Sequence, residues 1–278
     1  MMMQNNKFKT GSAFRLGNFI LAAALIPLLL TGCVEKELIN DPTTGAIMPT
    51  KNLEALIDGQ YTATTSYYDG RGYAQQLNIF IKNGLITKVN FQEIDRSKTD
   101  RLAVDGPDKT WPNLVVTNLS SLYLRLYNEL ISSQNPDEID AISGATQTSE
   151  RYVKLAKKIF AQAKKGDQEP IKIDTLDTYT IITPPDHDGY QGVLEATFNG
   201  STLTALNYDE IITEDGKSKR KSTDSPENAD FNALFDTITQ TAVNNQSLES
   251  AFPANDAIHE KAKYEECLRL LREARSPF

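Results

Sequence analysis

The sequence predicts an α+β protein made of two tandem, related domains, each an antiparallel sheet with packed helices. Three observations carry this reading. Strand-like runs closed by Asn-Gly turns occur twice, at Asn83-Gly84 and Asn199-Gly200; helical periodicity follows each set; and the second set echoes the first. The offset, about 116 to 118 residues, marks a single duplication rather than a solenoid repeat. The 278 residues suffice for two cores, and 40% hydrophobic with 24% charged residues is an ordinary globular composition.

At the N-terminus, Lys7, Lys9 and Arg15 precede an apolar run from Phe19 to Leu30, interrupted by Pro27 and followed at once by Leu30-Thr31-Gly32-Cys33. A basic region, a short apolar stretch and small residues before a cleavage point describe a secretory signal peptide. The run falls short of the roughly twenty residues that span a bilayer, so a retained membrane anchor is the alternative reading. Leu-Thr-Gly-Cys resembles the lipobox of bacterial lipoproteins, in which the Cys is acylated and becomes the mature N-terminus. The resemblance implies a signal peptide over 1–32, lipidation of Cys33 and a protein held by acyl chains in the lipid bilayer at the extracytoplasmic face of the bacterial membrane. Residues 33–50, with Asp41-Pro42, Thr43, Thr44 and Gly45, read as a tether.

Removing the three leading cations from the formal −8 leaves −11 for a chain starting at Cys33. Such an acidic body argues against nucleic acid as a partner. Two cysteines supply no internal disulfide framework. His187 and His259 belong to no ligand-spaced cluster, so neither a metal site nor a histidine-based triad is expected.

The first domain is assigned to 51–166. Asp58-Gly59 opens a strand over Gln60 to Thr64, and Asp69-Gly70-Arg71-Gly72 turns into the run Tyr73 to Ile81, where Leu77, Ile79 and Ile81 alternate with Asn78 and Phe80. Asn83-Gly84 then closes a hairpin with Leu85 to Ile94. Residues 95–113 read as a long solvated connection. Leu119, Leu122, Tyr123, Leu126, Leu130 and Ile131 predict a helix over 118–132. A further helix, with Tyr152, Ala156, Ile159, Phe160 and Ala163 on its inner face, runs up to Gly166.

Directly before that helix stands Asp140-Ala141-Ile142-Ser143-Gly144-Ala145-Thr146. Small residues there allow close approach to the backbone, Ser143 and Thr146 supply two hydroxyls, and the helix N-terminus behind them favours a phosphate. Asp140 reads as a residue that caps or shapes the loop.

These segments resemble the FMN-binding domain family. Its D-G-x-Y-T opening corresponds to Asp58-Gly59-Gln60-Tyr61-Thr62. Its central turn corresponds to Lys82-Asn83-Gly84-Leu85-Ile86-Thr87-Lys88-Val89, and its S-G-A-T-x-[ST]-S motif to Ser143-Gly144-Ala145-Thr146-Gln147-Thr148-Ser149. The resemblance implies FMN as cofactor, joined covalently by a flavin transferase through a phosphoester to Thr146, with Ser143, Gly144, Ala145 and Asp140 around it. It names no catalytic acid or base. Tyr61, Tyr73 and Trp111 can stack on the ring or fill the core.

Residues 167–177 read as a linker and 178–278 as a degenerate FMN-binding-like domain, with Tyr179-Thr180 and Asp188-Gly189-Tyr190 repeating first-domain signals. The segment 215–228, with Lys217, Lys219, Arg220 and Lys221, can bind an anion or simply be solvated, the second being the better reading. Placing Tyr264 on Tyr152 sets Asn255-Asp256-Ala257-Ile258 over Ser143-Gly144-Ala145-Thr146, so the acceptor hydroxyl is missing and one flavin per chain is expected. Cys267 is read as packing in an apolar helix face. The two-domain pattern resembles lipoproteins of extracellular electron transfer, and that resemblance implies a flavin-carrying lipoprotein that relays electrons from a membrane quinol-oxidising donor to extracellular acceptors. Its alternatives are an extracytoplasmic flavin-dependent reductase and a non-redox binding lipoprotein that keeps only the fold.

Overall fold

The computed structural model describes residues 39–40, 47–48, 56–106, 118–220, 226–253 and 258–278. The signal segment, Cys33, Trp111, Lys221 and Asn255 to Ala257 lie outside them, as does the side chain of Ile258. The chain divides into Met1–Thr50 and Lys51–Phe278. In the first unit β1 (Ile39–Asn40) pairs antiparallel with β2 (Ile47–Met48).

In the second unit β3 (Gly59–Thr65), β4 (Ala74–Lys82) and β5 (Leu85–Ile94) form an antiparallel meander. Alternation puts Tyr61, Ala63, Leu77, Ile79, Val89 and Phe91 on one buried face. Asn83 and Gly84, at φ of 54° and 73°, give the two positive dihedrals that a tight hairpin of this hand needs. Their N–H groups donate to the Asp58 carboxylate at 2.9 and 2.8 Å, so the domain-opening Asp58-Gly59 pair anchors the central turn.

The segment 167–177 is more than a linker. It contains β6 (Ile171–Ile173), which adds in parallel to β3 and gives the order β5-β4-β3-β6. On this sheet pack α2 (Leu119–Ser133) and α3 (Thr146–Ala163). The apolar stripe of α2 ends at Leu130, and Ile131, expected inside, is 37% exposed. Within 95–113, read as a solvated connection, a short helix α1 (Arg101–Asp105) forms, and Arg101 is buried.

The second half has the order β7-β8-β9, from β7 (Leu176–Ile182), β8 (Tyr190–Asn199) and β9 (Thr202–Ile212), with α4 (Pro226–Asn245) and α5 (Ile258–Ala274). It has a core of its own, in which Cys267 is fully buried. The two halves repeat in detail. Each central hairpin has a register shift, between Phe80 and Ile81 and between Thr197 and Phe198. In each core one aromatic meets two others edge-on, Phe91 with Tyr123 and Tyr152, and Tyr208 with Phe235 and Tyr264. Gln134 follows α2 and Gln246 follows α4, each at positive φ. Their side-chain amides bond both backbone groups of Ile86 and of Leu203 respectively.

Several contacts join the halves. A Cβ on Gly70 would lie 2.1 Å from the Thr178 carbonyl oxygen, so the approach tolerates only glycine. The Tyr179 hydroxyl donates to the Tyr68 carbonyl at 2.6 Å. The chain's last residues return to the first sheet: Phe278 N–H donates to Ser66 at 3.1 Å and Tyr68 N–H to Ser276 at 3.2 Å, while the Phe278 ring meets Tyr68 edge-on.

Candidate functional site

The approach to α3 is built by two buried isoleucines. Asn135 accepts from Asp137 N–H at 3.0 Å and starts a 3-10 turn, Pro136–Glu138. Ile139 and Ile142 then plug into the core at 9% and 1% exposure. Between and after these anchors Asp140, Ala141, Ser143 and Gly144 are exposed. Gly144 has φ of 81°, a left-handed turn that suits glycine. Ala145 N–H donates to Ile142 at 2.9 Å and closes the turn.

The residue that shapes this loop is Ser149. Its Oγ accepts from Ile142 N–H at 3.2 Å and donates to the Ala145 carbonyl at 3.1 Å, with no exposure to solvent. The role assigned to Asp140 is therefore filled from inside the helix. Ala145 occupies the N-cap, and no side chain caps α3. The N–H groups of its first turn thus have no intrahelical partner and leave the positive end of the helix dipole available. Thr146, the first residue of α3, is exposed there with Gln147.

Beneath this rim lies a buried ionic network that the sequence reading did not assemble. Arg71 reaches Asp69 and Glu93 at 2.8 Å each, and Arg101 reaches Glu93 at 2.6 Å. Arg151 reaches Asp69 at 2.5 Å and also pairs with Asp177. The Thr148 hydroxyl, two residues past Thr146, donates to Glu93 at 3.3 Å, and the Tyr123 hydroxyl to its other oxygen at 3.1 Å. Burial alone would raise the carboxyls, but Arg71 with Arg101 holds Glu93, and Arg71 with Arg151 holds Asp69, below the usual carboxylate range. For Asp177 burial outweighs Arg151 and the pKa is raised. Glu93 and Asp69 are consequently fixed charges that fasten the first turns of α3 to the sheet. One signal could have revealed this: Glu93 continues the inward alternation of Val89 and Phe91 and so demands a buried cation.

The second half keeps the network with different members. Lys219 reaches Glu210 at 2.5 Å and Glu260 at 3.1 Å, and Lys263 pairs with Asp186. Lys219 is thus mostly buried rather than solvated, and Arg220 pairs with Asp236 at 2.5 Å. Arg71 has no cationic counterpart in the matching turn, where Asp188 stands, and a carboxylate, Glu260, replaces Thr148 two residues into the helix. α5 begins at Ile258 as α3 begins at Thr146, so the helix start falls where the alignment of Tyr264 with Tyr152 puts it.

Of the aromatics considered for stacking, Tyr61 is fully buried in the core, and Tyr73 lies under the Arg101 guanidinium at 5.0 Å. Among the described residues no group of three or more His, Cys, Asp or Glu is arranged to hold a metal, and no helix is long and apolar enough to cross a membrane.

Residues 72–161 match the FMN-binding domain family. The match spans β4, β5, the candidate loop and nearly all of α3. A 15 kDa lipoprotein of Treponema pallidum is 21% identical over 122 residues, covering 43% of this chain and 85% of the relative. Among solved structures, a Clostridium perfringens protein determined by crystallography is 28% identical with a TM-score of 0.36, covering 43% of this chain and 98% of its own. A Clostridium thermocellum protein determined by solution NMR is 26% identical with a TM-score of 0.29, covering 38% and 91%.

Proposed function

We propose that the chain is a flavin-binding lipoprotein whose first half carries one covalent FMN on Thr146. In this reading it relays electrons, on the extracytoplasmic face of a membrane, from a quinol-oxidising donor to external acceptors. The observation that carries the reading is the position of Thr146: an exposed threonine as the first residue of a helix that no side chain caps, within a region matching the FMN-binding domain family.

The residues fit a flavin phosphate. Thr146 supplies the oxygen for a phosphoester, Gly144 and Ala145 keep the approach free of bulk, and the helix N-terminus offsets the charge left on the phosphate. Ser149 and the isoleucine anchors hold that geometry before any cofactor arrives. Bound flavin supplies one- and two-electron chemistry that no side chain here offers. The protein's part is to fix it on a rigid helix at the surface. The name of the Treponema relative and the lipobox-like Leu30-Thr31-Gly32-Cys33 together support a lipid anchor at Cys33.

The test is expression of the chain with and without a flavin transferase. A mass gain of FMN less one water, with flavin fluorescence surviving denaturation, is expected only with the transferase. Thr146→Ala should lose both while its unfolding free energy stays within about 0.5 kcal/mol of the parent's, as for other exposed sites. A fluorescent Thr146→Ala chain would move the acceptor elsewhere, and a parent chain that never gains flavin would end the reading.

A further inference from the structure

A cleft of about 170 Å³ opens beside the start of α3, lined by Gln147, Glu150, Arg151 and Lys154 and, across from them, by Thr175 and Leu176 at the start of β7. The four α3 residues stand at i, i+3, i+4 and i+7 and so form one face. Thr146 precedes Gln147 and sits one turn before Glu150, which puts the acceptor residue on the border of that face. The opposite wall comes from the second half of the chain.

Leu176 is the most exposed of the large apolar side chains among the described residues, at 65%. A single exposed leucine needs no explanation by itself. This one forms the apolar side of an otherwise polar cleft, next to the residue read as a flavin acceptor. The wall behind it is also fixed. Asp177 accepts from Thr175 Oγ1 at 2.5 Å and pairs with Arg151, and the Lys154 ammonium binds the Asp174 carbonyl at 2.5 Å. Two of these bonds cross from α3 to the start of β7 and the third stiffens that start itself, so the cleft is preorganised rather than formed on binding.

We propose that the isoalloxazine of a flavin attached to Thr146 rests in this cleft with one face on Leu176, so that the second half completes the flavin site of the first. The inference rests on the reading of Thr146 as acceptor. It assigns the second half a task that needs no acceptor of its own: an apolar seat for the ring. Clefts that enclose a drug-sized ligand run to roughly 300–1,000 Å³, so this one takes only part of the ring and leaves an edge in water, where an electron-transfer partner can reach it. Gln147 supplies an amide at the cleft for the polar end of the ring.

The test uses the full chain flavinylated on Thr146 by a flavin transferase, as parent, Leu176→Asp, Leu176→Met and Leu124→Asp. The last alters another exposed leucine, on α2, at 57% exposure. All four should carry the same flavin mass. The parent, Leu176→Met and Leu124→Asp should show circular dichroism in the visible flavin band; in Leu176→Asp it should fall by about half or more and iodide quenching of flavin fluorescence should rise about twofold, as expected when a ring loses its apolar seat. Flavinylated Leu176→Asp with the parent's dichroism and quenching, or an equal loss in Leu124→Asp, would overturn the placement of the ring and leave the acceptor standing. A parent chain without flavin mass would overturn both.

Discussion

Arg151 and Asp177 form an ion pair that crosses from the helix carrying the candidate acceptor to the first strand of the second half, with side chains only 8% and 5% exposed. Arg151 also holds Asp69, so one guanidinium satisfies two buried carboxylates. Removing it should cost about 3–5 kcal/mol, because uncompensated charge is left inside. Arg151→Met should show that loss in urea unfolding, and Arg151→Met with Asp177→Asn should recover part of it. A double variant no more stable than the single would mean that Asp177 is not strained by the loss.

The same network sets an acid limit. Asp69 and Glu93 have lowered folded pKa values through their arginines. Their contribution is therefore complete above the unfolded carboxylate range near 4 and is lost as pH falls through the folded values. Asp177, raised by burial, acts oppositely: its ionisation costs stability at neutral pH, and protonation relieves that cost as pH falls. With two groups against one, urea midpoints should fall from pH 7 to pH 3. Glu93→Gln should start lower, since Arg71 and Arg101 lose a buried partner, and then decline less steeply.

Gln134 and Gln246 are each expected to contribute by satisfying an N–H and a C=O on a neighbouring strand. Gln134→Ala should cost about 1–3 kcal/mol through the unsatisfied Ile86 groups. Gln134→Gly should be the milder change, because the backbone there is at φ of 55°. Equal losses for the two substitutions would show that the left-handed backbone carries no cost.

Cys267 is fully buried, and desolvation pushes its thiol up to about 12. A neutral, enclosed thiol reacts slowly. In a Cys33→Ser chain, labelling at pH 8 by a thiol reagent should therefore follow unfolding, with a burst of reaction only in denaturant. Rapid labelling under native conditions would show that α5 opens locally.

Local patterns were legible and long-range pairings were not. Asn83-Gly84 announced its hairpin because the turn needs two positive dihedrals and few residues supply them. The helix behind Thr146 was legible from apolar spacing, and so was the α2 stripe up to Leu130. The ionic network escaped because its members come from four separated stretches, Asp69 with Arg71, Glu93 with Arg101, Arg151 and Asp177, and apart from Glu93, whose place in the alternation of β5 points inward, each alone reads as a surface charge. β6 escaped for a related reason: a three-residue strand such as Ile171–Ile173 has too few residues to show a period, and only the open edge of β3 makes it one. In the sequence Ser149 is only the last residue of the S-G-A-T-x-[ST]-S motif, whereas its burial turns it into the clasp of the loop.

The hydrogen bonds of Ser66 and Tyr68 with Phe278 and Ser276 tie the link between β3 and β4 to residues 276–278. Synthesis delivers the two partners at very different times. The connection that leaves β3 can be closed only after every intervening residue exists, so the first half waits on the second to finish its own β3–β4 link. Such closure over a long loop is entropically slow to reach. It should also make the halves lose structure together, so that a nick anywhere between them loosens the strand that begins the fold.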